Sequence, residues 1–301
     1  MTTTLAEVLR IPQVPPVSSG EVRRIAVPGR GRMRCRIIGE PGGSTPTLLV
    51  LHGWTATADV NFATVFGPLA ECFPVVAPDL RGHGGGIRGS APFTLEACAE
   101  DMAGLLDTLG TGPTIALGYS LGGPIALLLA RRHPQLISGL VLCATAARLG
   151  RSSAGRLALG ALGAFGLATH SAVYQVARSG KIPREIIRRL PTPLGHDLAQ
   201  VAEVGGELAR FDARPWLGEI TQPAVVVITR RDHAVPAIDQ EMLATGLADC
   251  RVFEVDGDHD ICLSPNPVYE STICAAAGDV AARCGCEALR YGSGAEGGSA
   301  S

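Results

Sequence analysis

The pentapeptide Gly118-Tyr119-Ser120-Leu121-Gly122 is the segment of this chain best suited to nucleophilic chemistry. An apolar run from Pro113 to Leu117 leads into it and an apolar helical pattern, Pro124 to Ala130, follows, so the serine stands on a sharp strand-to-helix turn. Such a turn pushes the Ser120 hydroxyl into solvent and aims the Leu121 amide at the same space, where an oxyanion would develop. Gly118 and Gly122 suit it because a side chain at either position crowds the turn. The pentapeptide alone is weak evidence in a glycine-rich chain, and the bland alternative is a loop with Ser120 as N-cap; the flanking strand and helix patterns favour the nucleophile. A serine hydroxyl also needs a base within hydrogen-bond reach and a third group that fixes the tautomer of that base.

The elements that must position these groups are legible as periodicity. Short β-like runs occur at Val22–Val27, Met33–Ile38, Thr47–Leu51, Pro74–Ala77, Thr114–Leu117, Leu140–Leu142, Ala224–Thr229 and Val252–Val255. From the third onward they are continuous rather than alternating, which suits strands buried on both faces of a parallel sheet. Helical patterns lie between them. In Leu95–Leu109 the apolar residues fall on one stripe, with Thr94 as N-cap and Gly110 as C-terminal stop. Strands alternating with helices give an α/β sheet. The segment 146–219 has helix-like stretches and no strand, which marks a mostly helical insertion after the sixth strand. The tail 284–301 is small and polar and is expected to be disordered.

With 301 residues, of which 46% are hydrophobic, the chain can bury a sizeable core. A net charge of −2 spread along the chain makes no electrostatic case for nucleic acid or for a polybasic membrane anchor, so small molecules are the expected partners. The nine cysteines are odd in number, seven of them scattered and Cys284 and Cys286 a close pair without CxxC spacing, which is not a disulfide framework, and no zinc spacing is present. The first residues lack a secretory pattern and the apolar stretch Leu157–Ala168 is too short to span a bilayer, so a cytoplasmic location is expected. Gly84, Gly86 and Gly89 satisfy GxGxxG, but Ser90-Ala91-Pro92 follows where a dinucleotide site needs a helix.

Five motifs in register carry a resemblance: His52-Gly53-Trp54 after the third strand, Asp79-Leu80-Arg81-Gly82-His83-Gly84 after the fourth, the serine turn, Arg231-Asp232 after the seventh, and Gly257-Asp258-His259 after the eighth. Over roughly residues 22–282 the chain resembles the α/β-hydrolase superfamily, in particular its serine esterase and lipase-like members with a helical cap. The resemblance implies a mostly parallel eight-stranded sheet flanked by helices. Its expected layout is an N-terminal extension (1–21), a core (22–145 and 220–283), a helical cap inserted after strand 6 (146–219) and the tail. The superfamily's epoxide hydrolases and haloalkane dehalogenases use an aspartate where this chain has Ser120.

His259 is the expected base, because its loop lies at the same C-terminal sheet edge as the serine turn. Asp232, at the end of the preceding strand, would hold the imidazole, and the order Ser120, Asp232, His259 matches the family. The rivals are weaker. By resemblance His52 and His83 are structural, and His133 reads as a helix-end residue. His170 and His196 fall in the insertion, where they could touch substrate, although a solvated side chain is the favoured reading. His233 shares the loop of the acid, and Asp256, Asp258 and Asp260 are too close to His259 in sequence to orient its ring. The resemblance assigns the oxyanion hole to the backbone amides of Trp54 and Leu121. Trp54 and Tyr119 are the candidate substrate contacts, although the Trp54 indole fits equally a packed aromatic.

These residues together predict a cofactor-free, metal-free carboxylic ester hydrolase acting through an acyl-enzyme. An apolar cap roof from Leu157, Leu159, Leu162, Phe165 and Leu167 favours small to medium uncharged acyl esters as the small-molecule substrate. Two alternatives share the motifs: a cofactor-free perhydrolase of the haloperoxidase-like group, and a non-catalytic ligand receptor on the same fold.

Overall fold

The computed structural model describes residues 19–89, 91–149 and 195–285. The eight expected strands are all present: β1 (Glu21–Val27), β2 (Gly31–Ile38), β3 (Thr47–Leu51), β4 (Val75–Pro78), β5 (Thr114–Tyr119), β6 (Ile137–Cys143), β7 (Ala224–Thr229) and β8 (Cys250–Val255). They form one sheet in the order β1-β2-β4-β3-β5-β6-β7-β8. β1 pairs antiparallel with β2, and β2 with β4; every later pairing is parallel, so the C-terminal ends of β3 to β8 share one edge.

Alternation along each strand feeds two apolar layers. Leu49, Leu51 and Ala116 join the layer that contains α3 (Leu95–Leu109) and α4 (Gly122–Arg132). Leu48, Val50, Ile115 and Leu117 join the opposite layer, with α1 (Ala58–Phe62), α2 (Phe66–Ala70) and α7 (Pro267–Arg283). α4 is buried from Gly122 to Ala130, as befits a helix that is apolar nearly all round. α3 ends as expected: the Ala97 amide donates to Thr94 Oγ1 at 3.0 Å, and Gly110 closes the helix at φ 62°. β8 departs from the continuous-burial expectation, since Arg251, Val252 and Glu254 are exposed. It is the last strand of the sheet, and an edge strand has fewer neighbours to cover it.

Where the chain leaves β6 and returns toward β7, its two arms run side by side. Arg148 bridges to Asp212, and the Ala213 amide donates to the Ala147 carbonyl. Of the expected insertion the returning part is described: α5 (Leu198–Arg210), capped by Asp197, precedes β7 and the helix α6 (Ala237–Gly246) that follows it. The proposed roof residues, His170 and most of the extension and tail lie outside the described residues. Cys284 is a correction to the tail boundary: it caps α7, and its thiol donates to the Ser138 carbonyl at 3.0 Å. Among the described residues no helix is long and apolar enough to cross a membrane.

Candidate active site

The serine turn is built by close approach. A Cβ on Gly118 would lie 2.5 Å from the Gly122 carbonyl oxygen, and one on Gly122 only 2.0 Å from the Leu51 oxygen. The same turn holds Ser120 in the left-handed region, at φ 50°. The strained residue is pinned: its amide donates to Cys143 O at 3.0 Å, and its carbonyl accepts from the Gly123 amide and from Thr145 Oγ1.

Three loops at the shared sheet edge meet there. Ser120 Oγ lies 3.0 Å from His259 Nε2, and His259 Nδ1 lies 2.7 Å from Asp232 Oδ2. Asp232 is buried at 5% exposure, with four donors on its carboxylate. Thr229 Oγ1 shares Oδ2, and the amides of Ala234 and Val235 donate to Oδ1 at 2.8 and 2.7 Å. Burial presses this carboxyl upward, but the hydrogen bonds from His259 and the Val235 amide outweigh it and hold Asp232 below the usual carboxylate range. An ionised Asp232 keeps the proton of neutral His259 on Nδ1, which leaves Nε2 free to accept from the serine hydroxyl.

The turn after β3 lies against Ser120. A Cβ on Gly53 would sit 3.4 Å from Ser120 Cβ. The amides of Trp54 and Leu121 have no hydrogen-bond partner among the described residues. Trp54 packs against the core layer of α3 and α4, and its indole donates to Val201 O at 2.6 Å, which favours the packed reading of this ring. Tyr119, the other expected substrate contact, is 2% exposed, and its hydroxyl donates to the His259 carbonyl at 2.6 Å, pegging the histidine loop from below. Sequence reasoning missed Asn61 on α1. Its Oδ1 accepts from the Gly53 amide at 2.6 Å and its Nδ2 donates to Cys262 Sγ, joining the two loops that flank the serine. An asparagine flanked directly by the apolar Val60 and Phe62 was the available signal.

Residues 46–165 match the family model described as alpha/beta hydrolase fold. The pimeloyl-[acyl-carrier protein] methyl ester esterase of Neisseria meningitidis serogroup A is 32% identical over 218 residues, covering 67% of each chain. The enzyme of the same name from Chromobacterium violaceum is 31% identical over 224 residues, 70% of this chain and 86% of its own. The chain belongs to the alpha/beta hydrolase family. A solved enol-lactonase from Burkholderia xenovorans superposes with a TM-score of 0.66 at 26% identity, over 86% of this chain and all of that one.

Within this alpha/beta hydrolase His52, His83 and His196 are buried. His52 Nε2 accepts from the Leu80 amide at 2.9 Å and Nδ1 donates to Gly53 O at 2.8 Å; burial pushes its pKa down to about 4. His83, also fully buried and held well below the ordinary range by burial, donates from Nδ1 to Arg81 O. His133 ends α4 and pairs with Glu100 at 3.2 Å. His196 is a correction, because it is 8% exposed rather than solvated. Its Nδ1 accepts from the Gly84 amide at 3.0 Å, its Nε2 donates to Thr55 O at 3.1 Å, and burial lowers its pKa. His233, Asp256, Asp258 and Asp260 are exposed. Asp256 pairs with Arg231 and Asp258 accepts from the Asp260 amide.

Proposed function

We propose that this ester hydrolase cleaves small to medium uncharged acyl esters through an acyl-enzyme on Ser120. The observation that carries the reading is the continuous chain of hydrogen bonds from Asp232 through His259 to a serine on a strained turn. Ser120 Oγ attacks the ester carbonyl while His259 Nε2 takes its proton, and Asp232 stabilises the imidazolium. His259 then gives the proton to the departing alcohol, and water activated by the same ring releases the acid. The amides of Leu121 and Trp54 receive the oxyanion; an oxyanion-hole donor of this kind typically contributes about 3 kcal/mol in the transition state. The preference for neutral acyl groups rests on the apolar residues of the 146–219 insertion, which serves as a helical cap on a core of 22–145 and 220–283. Residues 1–21 form an extension, and the site of action is cytoplasmic. Relatives that bear the name of a methyl ester esterase support ester cleavage.

The test is a p-nitrophenyl ester series, acetate through palmitate, on wild type beside Ser120→Ala. Activity with an optimum at short to medium chains, lowered by roughly 10⁴-fold in the variant, is the expected result. A variant as active as wild type, or a preference for charged esters over neutral ones of equal length, overturns it.

A further inference from the structure

Thr55 is a β-branched residue held at φ 61°, in the left-handed region that such residues avoid, so the turn 53–55 is strained and needs restraint from outside. The restraint comes from two sides. On the core side, His52 Nδ1 donates to the Gly53 carbonyl, which shares a planar peptide unit with the Trp54 amide; fixing that oxygen points the Trp54 N–H the opposite way. On the other side stands the chain returning from the insertion. His196 Nε2 donates to Thr55 O, and the Trp54 indole donates to Val201 O, so residues 196 and 201 grip the turn through both its main chain and its one large side chain. His196 is itself anchored. Its Nδ1 accepts from the Gly84 amide, and its ring meets His83 edge-on at 5.4 Å, as His83 meets His52 at 5.3 Å. Three buried histidines therefore run from one end of the turn to the other.

We propose that His196 is a positioning residue for ester hydrolysis: its Nε2–H to Thr55 O bond holds the strained turn so that the Trp54 amide stays aimed at the oxyanion. This rests on the reading of Trp54 as an oxyanion donor. The bond acts on the transition state, where the oxyanion forms, and leaves binding of the uncharged substrate nearly untouched.

Two amide side chains separate the two bonds of the ring. The Nε2 of glutamine reaches about as far from the backbone as Nε2 of histidine and can donate to Thr55 O, whereas the shorter asparagine reaches only the Nδ1 position and keeps the Gly84 bond. The experiment measures kcat and KM for p-nitrophenyl butyrate with wild type, His196→Gln, His196→Asn, His196→Ala and Ser120→Ala, alongside hydrogen–deuterium exchange of the peptide spanning 52–60. In His196→Gln, kcat stays within about threefold of wild type. In His196→Asn and His196→Ala it falls by about tenfold to a hundredfold, part of the loss expected for a whole oxyanion donor, with KM within about twofold. Exchange in 52–60 rises in the same two variants and not in His196→Gln. Equal kcat in His196→Asn and His196→Gln, or a loss carried by KM, overturns the proposal. If Ser120→Ala is as active as wild type the hydrolase reading has failed, and the exchange pattern alone then decides whether His196 restrains the turn.

Discussion

Asp232→Asn changes one atom, and the structure dictates where that atom goes. Two of the four donors to the carboxylate are backbone amides, Ala234 and Val235 on Oδ1, and neither can turn away. The amide oxygen of the variant must therefore stay on their side, which places its NH2 where Oδ2 was. Thr229 Oγ1, which also accepts from Gln240 Nε2, adjusts by rotating its hydroxyl, so the fold survives. His259 does not adjust harmlessly. Facing an NH2 donor, its Nδ1 must accept, the proton moves to Nε2, and Nε2–H now points at Ser120 Oγ where an acceptor is required. The productive tautomer exists only with two donors opposed, and the imidazolium that forms on attack has lost its carboxylate. Together these effects are expected to lower kcat by about 10⁴, or ~5.5 kcal/mol, while the loss of charge-assisted hydrogen bonds lowers stability by no more than about 2 kcal/mol. The assay is kcat on p-nitrophenyl butyrate with a thermal melt on the same preparation, and Asp258→Asn, on an exposed loop residue, serves as the control with unchanged activity. A folded Asp232→Asn that keeps more than a tenth of wild-type kcat, or an Asp258→Asn that loses as much, refutes the assignment.

Acid should destabilise the fold through its buried histidines. His52 has a folded pKa of about 4 against about 6.5 in the unfolded chain, so the unfolded chain takes up the proton first and stability present above pH 6.5 is lost as the pH falls toward 4. That one group is worth roughly 3 kcal/mol over the interval, with His83 and His196 acting in the same direction; urea unfolding at pH 7.0, 5.5 and 4.5 measures it, and a flat profile contradicts it. Glycine to alanine should act with opposite signs at two helical positions. At Gly122 the new Cβ meets the β3 backbone at 2.0 Å and should cost about 3 kcal/mol or more along with most of kcat, whereas at Gly278, where nothing lies within 4 Å, it should stabilise by about 0.5–1 kcal/mol. Denaturant midpoints of the two variants decide the comparison.

What the sequence made legible was what local pattern controls. β3 and β7 match their apolar runs to the residue, and α3 matches because stripe, N-cap and C-cap agree. β6 runs from Ile137 to Cys143, longer than the expected Leu140–Leu142, because Ser138 and Gly139 interrupt the apolar signal, and the register with β5 shifts at Ser138 before pairing resumes at Gly139. The spacing of Ser120, Asp232 and His259 was legible because each sits at the end of a strand. The residues that brace them were not. His196 is buried by Gly84 and Thr55, 112 and 141 positions away, and Tyr119 reaches a carbonyl 140 positions away. No periodicity records partners at that separation.

Those braces answer a problem that the sheet itself creates. Ser120 follows β5, Asp232 follows β7 and His259 follows β8, and β6 stands between the first two. At ~4.8 Å between neighbouring strands, the ends of β5 and β8 are about 14 Å apart, far beyond a hydrogen bond. The loop after β8 must therefore lean back over two strand ends to bring an imidazole onto Oγ. Its path is fixed in steps: the Arg231 amide donates to Gly257 O, the loop turns through the 3₁₀ segment Ile261–Leu263, Asn61 donates to Cys262 Sγ, and Tyr119 takes the His259 carbonyl. Tyr119 is the residue immediately before Ser120, so the histidine is measured from the serine's own strand rather than from β8. Small shifts of the edge strand are then absorbed in the loop, and the 3.0 Å contact between His259 and Ser120 is set by the rigid centre of the sheet.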